Sequence, residues 1–160
     1  MSPLMLKIII AVHPEVLAQC YALRYEVLRK PWNQPKGSEQ DNQEETSIMA
    51  AALDMDGRVI GTARIQFNSE EVAQIRYMAV ASASQGLGVG KAVLTFLEAV
   101  AQEQHRKTVM LNARENAIPF YLSQGYHITG EAPTLWGVIK HVCMQKNLNN
   151  SFVRITPTCW

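Results

Sequence analysis

Apolar and polar positions divide the chain into short blocks of two periodicities. Residues 6–11 are almost all apolar and lie between Pro3 and His13-Pro14, which predicts a first strand. From residue 15 to 29, Val16, Leu17, Cys20, Leu23, Tyr25, Val27 and Leu28 recur mostly at three- and four-residue steps. That spacing predicts an amphipathic helix, which Pro14 can enter at its first turn and Pro31 stops. Residues 47–54, 58–67 and 71–80 read as three strands, joined by the turn signals Asp56-Gly57 and Asn68-Ser69-Glu70. Short turns between strands imply an antiparallel meander, in which Gly61 marks a weak point or a bulge.

Beyond the meander the period changes. Val93, Leu94, Leu97, Val100 and Ala101 have helical spacing within residues 91–105, and 108–111 form a short apolar strand. A strand–helix–strand unit implies a parallel neighbour and a right-handed crossover. Residues 116–123 predict a short helix that tolerates Pro119 in its first turn, with Gly125 placed to end it. Residues 126–130 and 139–146 predict a closing strand pair with 132–137 as its loop. Residues 32–46 have no period, and the acids Glu39, Asp41, Glu44 and Glu45 outweigh Lys36. Two readings stand: a solvated loop, or a rim that attracts cationic amines. The tail, 147–160, carries Phe152, Val153, Ile155 and Trp160 and is expected to pack on the body or on a second subunit.

Composition narrows the class without changing this layout. A chain of 160 residues suits a single domain, 1–160, with a core over about 6–146, and it needs neither metal nor disulfide to fold. A net charge of +1 points to no nucleic-acid or anionic-membrane partner. The apolar run at 8–12 is too short to span a bilayer, and no signal-peptide pattern surrounds Lys7. Cys20, Cys143 and Cys159 are odd in number and widely spaced, as expected of a reducing cytoplasm. No CxxC or HxxxH spacing suggests a metal site.

The chemistry concentrates at Gln85-Gly86-Leu87-Gly88-Val89-Gly90-Lys91, between a predicted strand and a predicted helix. Free N–H groups and the helix dipole there suit a phosphate. A dinucleotide fingerprint needs the strand directly before the first glycine and an acid after the next strand. Here residues 81–84 intervene and the next strand leads to Asn112. A Walker loop needs Ser or Thr after Gly-Lys, and Ala92 follows Lys91.

Gln85-Gly86-Leu87-Gly88-Val89-Gly90 resembles the Gln/Arg-x-x-Gly-x-Gly/Ala motif of the GCN5-related N-acetyltransferase (GNAT) family. A second block, Ala113, Ala117, Phe120-Tyr121 and Gly125-Tyr126, resembles the family's later motif. The order of elements agrees over about residues 6–146, and the run 137–144 is similar to small bacterial members with a His-x-x-Met closing strand. The resemblance implies a mixed α+β fold: a mostly antiparallel, twisted sheet of about six or seven strands, a parallel splayed pair in its middle, and helices on both faces. Departures from the pattern are Gln85 for the commoner Arg, Ser82 for a frequent proline, and Arg114 where many members carry Asn, with Asn116 out of register.

The family's activity implies transfer of an acetyl group from acetyl-CoA to a primary amine of a small molecule or protein, through direct attack in a ternary complex. A catalytically silent acyl-CoA sensor is the alternative. Carried over residue by residue, the donor would lie against Met78, Ala79, Val80, Gln85, Gly86, Leu87, Gly88, Val89, Gly90 and Lys91, with Asn112, Ala117 and Tyr121 further along the chain. Tyr121 stands at the family's general-acid position. His141, Glu26, Glu45 or a water chain are the candidates for the base, and Arg76 and Glu45 are candidates for acceptor contacts. No metal is implied, and a homodimer is compatible.

Overall fold

A computed structural model describes residues 5–148, so the apolar tail lies outside the described residues except for Asn147 and Leu148. Its elements are β1 (Lys7–Ile10), α1 (Pro14–Leu28), a 3₁₀ turn (Lys30–Trp32), β2 (Ile48–Leu53), β3 (Val59–Phe67), β4 (Val72–Val80), a 3₁₀ turn (Ser82–Ser84), α2 (Val89–Glu103), β5 (Thr108–Arg114), a 3₁₀ turn (Glu115–Ala117), α3 (Ile118–Ser123), β6 (His127–Leu135) and β7 (Ile139–Asn147). The strands form one seven-stranded sheet in the order β1-β2-β3-β4-β5-β7-β6. The β4–β5 pair is parallel, and the β1–β2, β2–β3, β5–β7 and β6–β7 pairs are antiparallel. This is the mixed α+β sheet that the resemblance implies.

The described residues fall into two compact units. The first comprises residues 5–66 and 76–97. Its centre is β2, where Met49, Ala50, Ala51 and Ala52 are all buried. Successive strand residues face opposite ways, so a run buried throughout needs cover on both faces. Cys20 of α1, with Val16, Leu17 and Tyr21, packs with Met49 and Ala51. On the Ala52 side, a Cβ built on Gly61 would lie 2.5 Å from Val89 Cγ1 and 3.4 Å from the Ala52 Cβ. Gly61 is therefore the place where α2 seats on β3. The register shift is next to it, between Ala52 and Leu53.

The second unit comprises residues 67–75 and 98–148. Parallel pairing joins Val72, Ala73 and Gln74 to Thr108, Val109 and Met110, at the N-terminal ends of both strands. Pro119 lies at the start of α3. Gly125, at φ 92°, ends that helix: its N–H bonds Leu122 O and the Tyr126 N–H bonds Tyr121 O. These two reversed bonds are the Schellman cap that satisfies the last carbonyls of a helix.

Several boundaries differ from expectation: β5, expected over 108–111, runs on to Arg114, and α3 begins at Ile118. The loop expected over 132–137 shrinks to the three residues between Leu135 and Ile139. Trp136 (φ 50°) and Gly137 (φ 70°) are both left-handed, and Val138 N–H bonds Leu135 O. Pro133 reads as a loop residue, but β6 is the outer strand of the sheet, where a missing N–H costs no ladder bond. In addition, α2 begins at Val89, ahead of residue 91, with Ala92 N–H bonding Gly88 O. Gly90 is thus a residue of the first helical turn.

Candidate active site

The glycine turn lies in the first unit. The N–H of Ala81 bonds Ile60 O on the neighbouring strand, fixing the exit from β4. Ser84 N–H then bonds Ala81 O, closing a tight turn. Gly86 (φ 77°) and Gly88 (φ 84°) take left-handed conformations, which L side chains adopt only at a cost. A Cβ on either would meet nothing within 4 Å. Backbone geometry, not crowding by the protein, calls for glycine here, and the face above the turn is open. Because Gly88 accepts the bond from Ala92, the N–H groups of Val89, Gly90 and Lys91 precede the helical ladder. Val89 anchors the turn: its side chain is 1% exposed and packs at Gly61. Gln85, Leu87 and Lys91 are exposed, and Gln85 Nε2 donates to Val80 O at 3.4 Å. Backbone donors, a helix N-terminus and one lysine, with no carboxylate in 81–91, fit a pyrophosphate.

In the second unit, Tyr121 of α3 is 7% exposed. Its ring stands edge-on to Phe120 at 5.0 Å and to Tyr126 at 5.8 Å. Tyr126 is itself tied down, with its hydroxyl donating to Glu98 at 2.7 Å. Lys146 Nζ bonds both oxygens of the same carboxylate at 3.1 and 3.2 Å. Burial, and after it the Glu98 charge, push the Tyr126 hydroxyl far above the usual phenol range. Burial alone pushes Tyr121 up to about 12. The Tyr121 hydroxyl has no hydrogen-bond partner among the described residues. Ring contacts hold Tyr121 in place, and its raised pKa keeps the hydroxyl protonated at neutral pH.

Residues 17–126, more than half the chain, match the acetyltransferase (GNAT) family. The chain belongs to that family. It is 28% identical over 142 residues to YjcF, an uncharacterized N-acetyltransferase of Bacillus subtilis strain 168, a match covering 89% of this chain and all of the relative. A candidate N-acetyltransferase from Lactobacillus plantarum superposes with a TM-score of 0.80 at 25% identity, covering 90% of this chain and 99% of that one. A GNAT acetyltransferase from Elizabethkingia anophelis, solved with acetyl-CoA bound, gives 0.68 at 15% identity, covering 89% and 98%. By family, then, the chain is an acyltransferase.

Within this GNAT chain the remaining predicted residues are distributed unevenly. Met78 and Val80 are half-buried on β4, with Ala79 buried between them. Asn112 is exposed on β5 opposite Cys143, and Ala117 is half-buried ahead of α3. His141 is half-buried on β7, and its Nδ1–H donates to Ile139 O at 3.0 Å, so Nε2 carries the lone pair. Burial holds its pKa below the ordinary imidazole value, against the Ile139 bond and with help from Arg114. Glu26 lies on the exposed side of α1, 3.5 Å from Lys30, and Glu45 is exposed. Arg76 is 39% exposed and pairs with Asp41 at 3.3 Å.

The acidic loop is not simply a solvated loop: part of it faces inward. Arg24 of α1 and Arg64 of β3 have fully buried side chains, and two of the loop's acids, Asp41 and Glu44, turn inward to meet them. Arg64 grips Asp41 with two nitrogens, at 2.6 and 3.0 Å, and Arg64 and Arg24 share Glu44 Oε2 at 2.8 and 2.9 Å. Glu39 is 6% exposed and accepts from Gly37 N–H and Gln40. Burial opposes the charge on Asp41, but the Arg64 bonds outweigh it and hold the carboxyl well below the usual carboxylate range. Sequence reasoning missed Arg24, Arg64 and Tyr77. The available signal was Arg24 standing four residues after Cys20, in line with the apolar stripe of α1.

Proposed function

We propose that this protein is an acetyl-CoA-dependent N-acetyltransferase that acts on a primary amine of a small molecule or protein by direct attack in a ternary complex. The observation that carries the reading is the glycine turn: left-handed Gly86 and Gly88, open space above them, and a helix that starts at the next residue. In this reading the N–H groups of residues 85–91 hold the donor's pyrophosphate and the backbone of Met78 to Val80 meets its pantetheine arm. The acetyl-CoA in the Elizabethkingia relative is the donor class that this turn suits.

The neutral amine attacks the thioester carbonyl carbon, the C–S bond breaks, and an amide and a thiol result. An alkyl amine, with a pKa near ~10, must first lose a proton. His141 is the side chain suited to accept it, because its imidazole is neutral near pH 7 and Nε2 holds a lone pair. A thiol has a pKa near ~8.5, so a phenol held at about 12 does not ionise ahead of the sulfur. Tyr121 instead donates its hydrogen bond to sulfur as negative charge develops there, and the proton that the nitrogen sheds on becoming an amide ends on the thiolate to give the thiol. The enzyme reading is preferred to a silent sensor because that donor stands ready and unpartnered.

Thiol release from acetyl-CoA, followed over a panel of primary amines, tests the proposal. At least one amine should turn over, and Tyr121→Phe should lower kcat by about 10²-fold with acetyl-CoA affinity unchanged. Binding without turnover on every amine would favour the sensor. Equal kcat in Tyr121→Phe would remove Tyr121 from the chemistry.

A further inference from the structure

Tyr77 sits inside β4 at φ 59°. A bulky non-glycine residue rarely adopts this conformation, and where one does, its surroundings hold it there. The surroundings here are specific. The Tyr77 hydroxyl donates to Asp41 Oδ2 at 3.1 Å. Four guanidinium groups surround the ring: Arg24 at 4.4 Å, Arg76 at 4.9 Å, Arg64 at 5.0 Å and Arg29 at 5.7 Å from its centroid. Cations over an aromatic face attract it, and more strongly away from water. Arg64 and Arg24 are in turn fixed by Asp41 and Glu44.

The backbone shows the consequence. Adjacent residues of a regular strand point to opposite faces. Arg76 Nη1 and Tyr77 Oη nevertheless reach the same carboxylate oxygen, Asp41 Oδ2, at 3.3 and 3.1 Å. A left-handed residue in a strand bends the chain and takes peptide groups out of the ladder, as in a β-bulge. The residues directly after this bend are Met78, Ala79 and Val80.

We infer that Tyr77 is a positioning residue for the acetyl donor: Asp41 and the arginines lock it in the left-handed conformation, and the resulting bend aims the backbone of Met78 to Val80 at the pantetheine arm. The inference rests on the donor-site reading above and assigns a task to Asp41 of the acidic loop, which holds a strand conformation.

The test separates the arm from the nucleotide. Acetyl-CoA and 3′-phospho-ADP, which has the pyrophosphate but no pantetheine, are titrated calorimetrically into wild type, Tyr77→Val and Tyr77→Gly. Valine cannot hold a positive φ without strain, whereas glycine can. Tyr77→Val should weaken acetyl-CoA by about tenfold, which is about one strained residue's worth of binding free energy. Its affinity for 3′-phospho-ADP should stay within about twofold, and Tyr77→Gly should recover most of the acetyl-CoA affinity. If Tyr77→Val melts too low to titrate, Tyr77→Phe, which loses only the bond to Asp41, should still weaken acetyl-CoA more than 3′-phospho-ADP. Equal losses in the valine and glycine variants, or equal losses for both ligands, would overturn the inference while leaving the donor reading intact. A wild type that binds neither ligand would sink the donor reading itself.

Discussion

Two regions of the first unit solve opposite problems. The glycine turn is built from backbone: apart from the buried Val89 that anchors it, its side chains are small or exposed, and a Cβ on Gly86 or Gly88 would meet only open space. The layer around Tyr77 is built from side chains: two fully buried arginines, two carboxylates and a phenol, drawn from α1, the acidic loop, β3 and β4. The turn leaves the N–H groups of Val89, Gly90 and Lys91 outside the helical ladder. The layer pairs Asp41 and Glu44 with buried arginines, because a buried charge without a partner is costly, and among the described residues it leaves Arg24 Nε, Arg64 Nε and Glu44 Oε1 without a hydrogen bond. The comparison teaches that a dense run of charge need not face solvent: Asp41 and Glu44 of the charged loop are held by buried arginines, while Glu45 beside them is exposed.

The largest effect should come from breaking the layer. Arg64→Met removes the two-nitrogen grip on Asp41 and one of the two arginines on Glu44, and should cost about 3 kcal/mol in denaturant unfolding, the low end of the penalty for removing one partner of a buried ion pair, because Arg24, Arg76 and Tyr77 remain. A loss below about 1 kcal/mol would mean that the layer is solvated after all. Asp41→Asn gives a smaller and pH-dependent effect. The folded-state pKa of Asp41 is depressed, so its contribution to stability is present above the unfolded value of ~3.9 and is lost as pH falls towards the folded value. Stability should therefore fall with acid more steeply below about pH 4 in wild type than in Asp41→Asn. Parallel pH–stability curves would contradict the Arg64–Asp41 geometry.

The contrast also explains which parts could be read from the sequence. A turn motif is local, so Gln85 to Gly90 show their spacing directly, and Tyr121 is marked by its place after Ala117 in a second local block. Strand and helix periods are local as well, which is why the meander and α2 fall within a residue or two of expectation. Charge pairs are not local. Arg24 and Glu44 are 20 residues apart, Arg64 and Asp41 are 23 apart, and Tyr77 and Asp41 are 36 apart. No periodicity links them, and Thr62, Arg64 and Gln66 alternate along β3 as an exposed face would, although all three are buried. The left-handed conformation of Tyr77 has no signal of its own, since the residue is an ordinary strand former. Pro133 misled for a related reason: a proline marks a loop unless the strand lies at a sheet edge, and edge position is a property of the whole fold.

The most direct measurement is a calorimetric titration of acetyl-CoA into wild type and Gly88→Trp. The account predicts that wild type binds. It predicts no measurable heat for Gly88→Trp and only a small drop in melting temperature, because the new side chain enters open space above the turn and the left-handed φ costs roughly 1–2 kcal/mol. A Gly88→Trp protein that binds acetyl-CoA as well as wild type would contradict the assignment of this turn as the seat of the donor.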